Sequence, residues 1–342
     1  MTQDTMQITK QNDKNFRKIA GKIGLCLCLW LAIFQGLNVV AAVFSELFLY
    51  LGMDEAVWYV FSEILYMLAY IFGFVIPTLI LRKLLRSKEK CVPIMKKGVS
   101  ALTPLLIVAA IAINFAAAYM NSYLITLILP FQEMDISLFA EGADEAYEIV
   151  LFLISTAVIP ALVEELLFRG VILSNLMPFG RDTAILGSAF LFGLMHGNIL
   201  QFLYMTLMGV VLGYVYVKTE SIWCCVLIHF FNNALSVVQE TLVNCLEYDA
   251  ATRWVGGLEL AVLLLGAVSV ILLILYRRRQ VKPEDVGSFG VTFEPALAYE
   301  QYPLTRREKL KNFFAPAMIV FLVLSCVMML TTLLTLMLAS GL

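Results

Sequence analysis

Residues 147–173 read YEIVLFLISTAVIPALVEELLFRGVIL. The run is overwhelmingly apolar and long enough to cross a bilayer, which takes about 20 residues for about 30 Å of hydrocarbon. Within it stand Glu164, Glu165 and Arg169. Ionisable side chains at membrane depth are costly and mark functional sites by default. This stretch therefore indicates both the solvent the protein lives in and where its chemistry should be sought.

The flanking sequence has the same character. Of 342 residues, 61% are hydrophobic and 15% charged, with a mean hydropathy of +0.86, against roughly 45–50% and 25% in soluble domains. A cytosolic enzyme, a secreted disulfide scaffold and a disordered regulator are excluded. A net charge of −2 gives no reason to expect a nucleic-acid partner. The seven cysteines lie mostly in apolar tracts without a C-x-x-C pair and read as small apolar fillers. Further apolar tracts fall at about 23–50, 58–81, 100–130, 183–197, 199–217, 220–245, 257–276 and 314–339. The first is too long for a signal-peptide core and no small-residue cleavage site closes it. The expected fold is all-α: one polytopic membrane domain over 1–342 with about nine transmembrane helices. The polar residues that could carry chemistry lie in the fourth to seventh, and 277–313 forms a polar cytoplasmic loop. The 183–197 tract is the shortest.

Basic loops stay cytoplasmic. Of 24 Lys and Arg, 22 fall in loops on one side of a nine-span arrangement, leaving Arg169 in a span and Arg253 opposite. The alternate loops carry Asp54, Glu55, Glu133, Asp135, Glu141, Asp144 and Glu145. This places the N-terminus inside and the C-terminus outside. An eight-span count would break the alternation.

Most isolated polar residues in the spans (Glu46, Glu63, Asn114, Asn121, Gln239, Glu240) read as helix-packing hydrogen bonds. The group in the fourth span differs. Glu165 and Arg169 are four apart and can pair on one helix face. Glu164 points about 100° away and has no local partner, which leaves it for general-base work. The chain has two histidines, His196 and His229, both in apolar segments, and Asn233 shares a helix face with His229. At 1.5 Å per residue, Glu164 lies about 14 Å above the cytoplasmic end of its span and His229 at a similar height. His196 comes out further across, at about 22 Å, unless its helix is short or tilted. The chemistry alone leaves three readings: a hydrolytic or metal site, an ion-coupled transporter, or structural polar contacts.

Glu164-Glu165-x-x-x-Arg169, Phe192-x-x-x-His196 and His229-x-x-x-Asn233 resemble, in order and spacing, the signatures of the CPBP family. That family comprises the CAAX-type intramembrane endopeptidases and the bacteriocin-processing or self-immunity (Abi) proteins. The resemblance covers about 145–245. It implies that Glu164 is the catalytic carboxylate, supported by Glu165 and Arg169, and that Phe192 belongs to the supporting motif. It also implies that His196 activates or holds the water and that His229 and Asn233 stabilise the oxyanion. A divalent metal such as zinc, held by His196, His229 and Glu164, is the cofactor the residues leave open. There is no H-E-x-x-H, and a third zinc ligand would have to be the carboxylate wanted as base. The expected partners are membrane lipid and a peptide or membrane-protein substrate, in a membrane whose short loops look bacterial. A non-catalytic immunity or scaffold protein of the same fold is the alternative to the protease.

Overall fold

The computed structural model describes residues 3–52, 54–85, 102–128, 145–279 and 304–339. Among them the regular elements are ten helices in the order α1 (Gln3–Tyr50), α2 (Glu55–Leu85), α3 (Thr103–Ile128), α4 (Ala146–Leu176), α5 (Arg181–Met195), α6 (Ile199–Thr219), α7 (Ile222–Cys245), α8 (Tyr248–Arg279), α9 (Arg306–Phe313) and α10 (Pro316–Ala339). The chain is thus a multi-pass helical membrane protein, with α4 to α7 as its fourth to seventh helices. Most of the basic loop after α2, most of the acidic loop after α3 and residues 280–303 of the expected cytoplasmic loop lie outside the described residues.

Eight of these helices are long and apolar enough to cross a membrane. The short tract at 183–197 forms α5, of 15 residues, below the length a full crossing needs. Its end is fixed inside the protein. His196 caps the helix, Gly197 turns the chain at φ +60°, and Asn198 caps α6 by accepting from the Leu200 amide at 2.9 Å. Thr332, beyond the midpoint of α10, donates to the Gly197 carbonyl at 3.2 Å. The turn therefore packs beside the second half of α10, and the 15 residues of α5 carry His196 about 22 Å along the helix, as its spacing from Arg181 predicts.

The α5–α6 hairpin closes on small residues. A methyl group on Gly209 would come within 2.8 Å of the Ala189 Cα, so the two backbones approach as closely as small-residue seams in membranes allow. At the other edge, α1 runs on into the polar N-terminal stretch. Phe16, Ala20 and Ile23 are buried there, and the Asn312 side chain of α9 donates to Asp13 at 2.7 Å.

Helix α4 is continuous but not uniform. Stretches with wider, π-type turns at Ile154–Val158 and Leu166–Leu173 flank the regular turn Ile159–Glu165. Pro160 explains the first. It has no N–H for the Thr156 carbonyl four residues back, and its ring crowds that position. Such local unwinding inside helices often accompanies functional sites.

Candidate active site

The expected ion pair is present. Arg169 donates from Nη1 to Glu165 Oε1 at 2.8 Å, and both side chains are fully buried. Nη2 of Arg169 reaches the Gly209 carbonyl of α6 at 3.1 Å. His229 Nδ1 lies 2.9 Å from the same Glu165 oxygen. One carboxylate thus ties α4 to α7 directly and, through Arg169, to α6.

Glu164 is 2% exposed. Its partner comes from α2: the Tyr70 hydroxyl donates to Oε1. Tyr70 is absent from the residues picked out by sequence. A tyrosine in an apolar span reads as packing or an interface residue, and this one is 94 positions from its carboxylate. Oε2 of Glu164 is buried and has no hydrogen-bond partner. A buried acceptor left open is expensive, and Oε2 of Glu165, whose other oxygen holds Arg169 and His229, is open in the same way.

His196 Nδ1 lies 2.8 Å from the Phe192 carbonyl. A carbonyl can only accept, so Nδ1 carries the hydrogen and Nε2 bears the lone pair of the neutral ring. The imidazole feels the charges of Glu164 and His229. Phe192 is the hub between these groups. Its ring meets His196 edge-on at 5.0 Å and His229 at 5.9 Å, and the Arg169 guanidinium sits 4.7 Å from its centroid.

Asn233 faces α4. Its Nδ2 donates to the Thr156 carbonyl at 3.0 Å, the group whose regular backbone donor Pro160 removes. The adjacent Asn232 donates to Asn233 Oδ1 at 3.3 Å. An amide has two N–H groups, so one stays available. The structure therefore brings Glu164, Glu165, Arg169, Phe192, His196 and His229 into one cluster built from α4, α5 and α7, while Asn233, one turn beyond His229, is held by the Thr156 carbonyl and Asn232.

Of the residues read as helix-packing contacts, Asn114 donates to Asn232 at 2.7 Å and Asn121 to the Leu200 carbonyl at 2.5 Å. Gln239 donates to Glu259 at 2.8 Å.

Among the described residues no three His, Cys, Asp or Glu side chains form a group able to hold a metal ion. In the set Glu164, His196 and His229 the hydrogen bonds use one carboxylate oxygen and the two Nδ1 atoms, so Glu164 Oε2 and the two Nε2 atoms are the groups a divalent ion such as zinc would take.

No curated protein and no solved structure matches this chain. A family model does: type II CAAX prenyl endopeptidase Rce1-like, over residues 146–235. Those limits run from the first turn of α4 to the middle of α7 and enclose every residue of the cluster except Tyr70. Over these residues the chain is similar to the CAAX-type endopeptidases, the likeness that its three motifs already carry.

Proposed function

We propose that this chain is an intramembrane endopeptidase that hydrolyses a membrane-associated peptide or protein with Glu164 as general base. The buried, unpartnered Oε2 of Glu164 carries this reading. With Oε1 fixed by Tyr70, Oε2 takes a proton from water as the water oxygen attacks the scissile carbonyl carbon. The neutral Nε2 of His196 accepts the second water hydrogen as a hydrogen bond and orients the attack. Charge then develops on the carbonyl oxygen. His229 and the remaining N–H of Asn233 are the donors available to it. Glu164 passes its proton to the leaving amine as the C–N bond breaks.

Charge balance supports the part given to His229. Glu165 and Arg169 cancel, and an ionised Glu164 leaves the buried cluster one negative charge in excess. His229, held to Glu165 through Nδ1, is the side chain whose second nitrogen can meet that charge. Unbalanced buried charge is the costly alternative. No step needs a metal. The substrate class follows the family only in general terms. A prenylated C-terminal motif, a bacteriocin or signalling-peptide precursor and a membrane protein are all compatible with a site at this depth. The basic-loop bias supports a cytoplasmic N-terminus and an external C-terminus, and the short loops support a bacterial membrane.

The test is cleavage of a peptide library by purified protein, wild type against Glu164→Gln. The variant should lose hydrolysis while keeping its fold and insertion. Near wild-type turnover would falsify the base assignment and favour a non-catalytic scaffold of the same fold.

A further inference from the structure

A cavity lies away from the catalytic cluster, between α1 and the last turn of α2. It has a volume of about 930 Å³ and is lined by Lys18, Lys22, Lys83 and Asn15 together with apolar groups that include Ile80 and Phe179. Among the described residues that line it there is no Asp or Glu. Lys22 is accounted for: its ammonium donates to the Leu84 carbonyl at 2.5 Å, a cation on the last carbonyls of a helix. Lys18 and Lys83 bring two more positive charges to the same space from two different helices. Converging like charges repel unless an anion joins them.

We infer that this cavity binds the phosphate head group of an anionic phospholipid. Two features select an amphiphile over a free anion. The cavity opens where α2 ends, the boundary between hydrocarbon and water for a span. Its walls are also mixed, with ammonium groups and an amide beside Ile80, Leu84, Leu85 and the Phe179 ring. A phosphodiester satisfies the lysines and leaves its acyl chains against the apolar side. Inorganic phosphate satisfies only the first half. Basic pockets between membrane helices take anionic head groups on these terms. Phe179 stacks on the buried Phe16 at 4.6 Å, so the floor of the cavity is the turn that leaves α4.

The experiment uses the purified full chain in detergent, followed by native mass spectrometry. It is titrated in separate arms with dimyristoyl phosphatidylglycerol, dimyristoyl phosphatidylcholine and sodium phosphate. Phosphatidylglycerol should be retained at one molecule per chain, at least tenfold more tightly than phosphatidylcholine, and phosphate should not displace it at millimolar concentration. Lys18→Gln with Lys83→Gln should lose that preference, and Lys18→Arg with Lys83→Arg should keep it. Arg307→Gln with Lys311→Gln on α9 removes equal charge elsewhere and should change nothing. Equal retention of both lipids overturns the proposal, as does an equal loss in the α9 variant. Phosphate that saturates the site and excludes the lipid would assign it to a free anion instead. Retained preference in the Lys18/Lys83 glutamine variant would remove the site altogether.

Discussion

Glu164 and Glu165 are neighbours with different partners, and substitution should separate them. Glu165 accepts from both Arg169 and His229, so Glu165→Gln leaves a buried guanidinium without its counter-ion. Breaking such a pair costs about 3–5 kcal/mol. We expect Glu165→Gln to melt well below Glu164→Gln in the same detergent, and similar melting of the two would contradict the division. Tyr70→Phe removes one hydrogen bond to a charged group, worth about 1.5–3 kcal/mol. If that bond positions the base, kcat should fall by about tenfold to a hundredfold with KM nearly unchanged, measured on whichever peptide the library identifies. The Glu165–Arg169 pair was legible in the sequence because both residues lie on one helix at a spacing helical geometry dictates. Tyr70 was not, because nothing local connects α2 to α4. The roles of the histidine nitrogens were hidden for the same reason: they depend on a backbone carbonyl and on a carboxylate 64 residues away.

The π-type turn before Pro160 ties a backbone irregularity to Asn233. Replacing Pro160 with alanine restores the N–H that the Thr156 carbonyl lacks and removes the need for the Asn233 side chain there. The expected outcome is a protein at least as stable as wild type but slower, because Asn233 is no longer anchored. Asn233→Ala itself should cost about 10²–10³ in kcat with little change in KM, the signature of a lost oxyanion donor. A raised KM with unchanged kcat would instead move Asn233 to the substrate-binding wall. The α5–α6 seam is equally specific. Gly209→Val places methyl groups against the Ala189 backbone and disturbs the carbonyl that holds Arg169. Overpacking of this kind costs about 1–3 kcal/mol, visible as lowered melting and lowered activity together. Helix α9 carries a reciprocal cap, with Thr305 and Glu308 hydrogen-bonded to each other's side chain and backbone. The Thr305 hydroxyl and amide hold the Glu308 carboxyl below its ordinary range. A depressed carboxyl contributes stability above its unfolded pKa and loses it as pH falls through the folded value. Protection of the 306–313 amides, corrected for intrinsic exchange, should therefore fall on acidification and already be low at neutral pH in Thr305→Ala.

At the scale of the whole molecule, α5 matters for what it does not change. It and α6 form a hairpin that rises and returns, so a short α5 leaves every later helix on the side it would otherwise occupy. A reporter fused after Leu342 should read outside, and a cytoplasmic reading would refute the orientation. Hydrolysis by the purified chain should also survive strong chelators. The positions of the spans were legible because hydrophobic runs of about 20 residues leave few alternatives in a bilayer. The partner of the α5–α6 turn was not, because Thr332 lies 135 residues from Gly197. The distribution of the site among the helices also bears on biogenesis. Chains enter the membrane from the N-terminus as they are made, and an uncompensated charge at the centre of a span costs about 2.5–3.5 kcal/mol to insert. When α4 leaves the ribosome, Arg169 is already there to neutralise Glu165 within the same helix, and Tyr70 is already in the bilayer to receive Glu164. His229 arrives last, in α7. The span with charged groups buried in its interior thus has partners for them as it enters the lipid, before His229 completes the cluster.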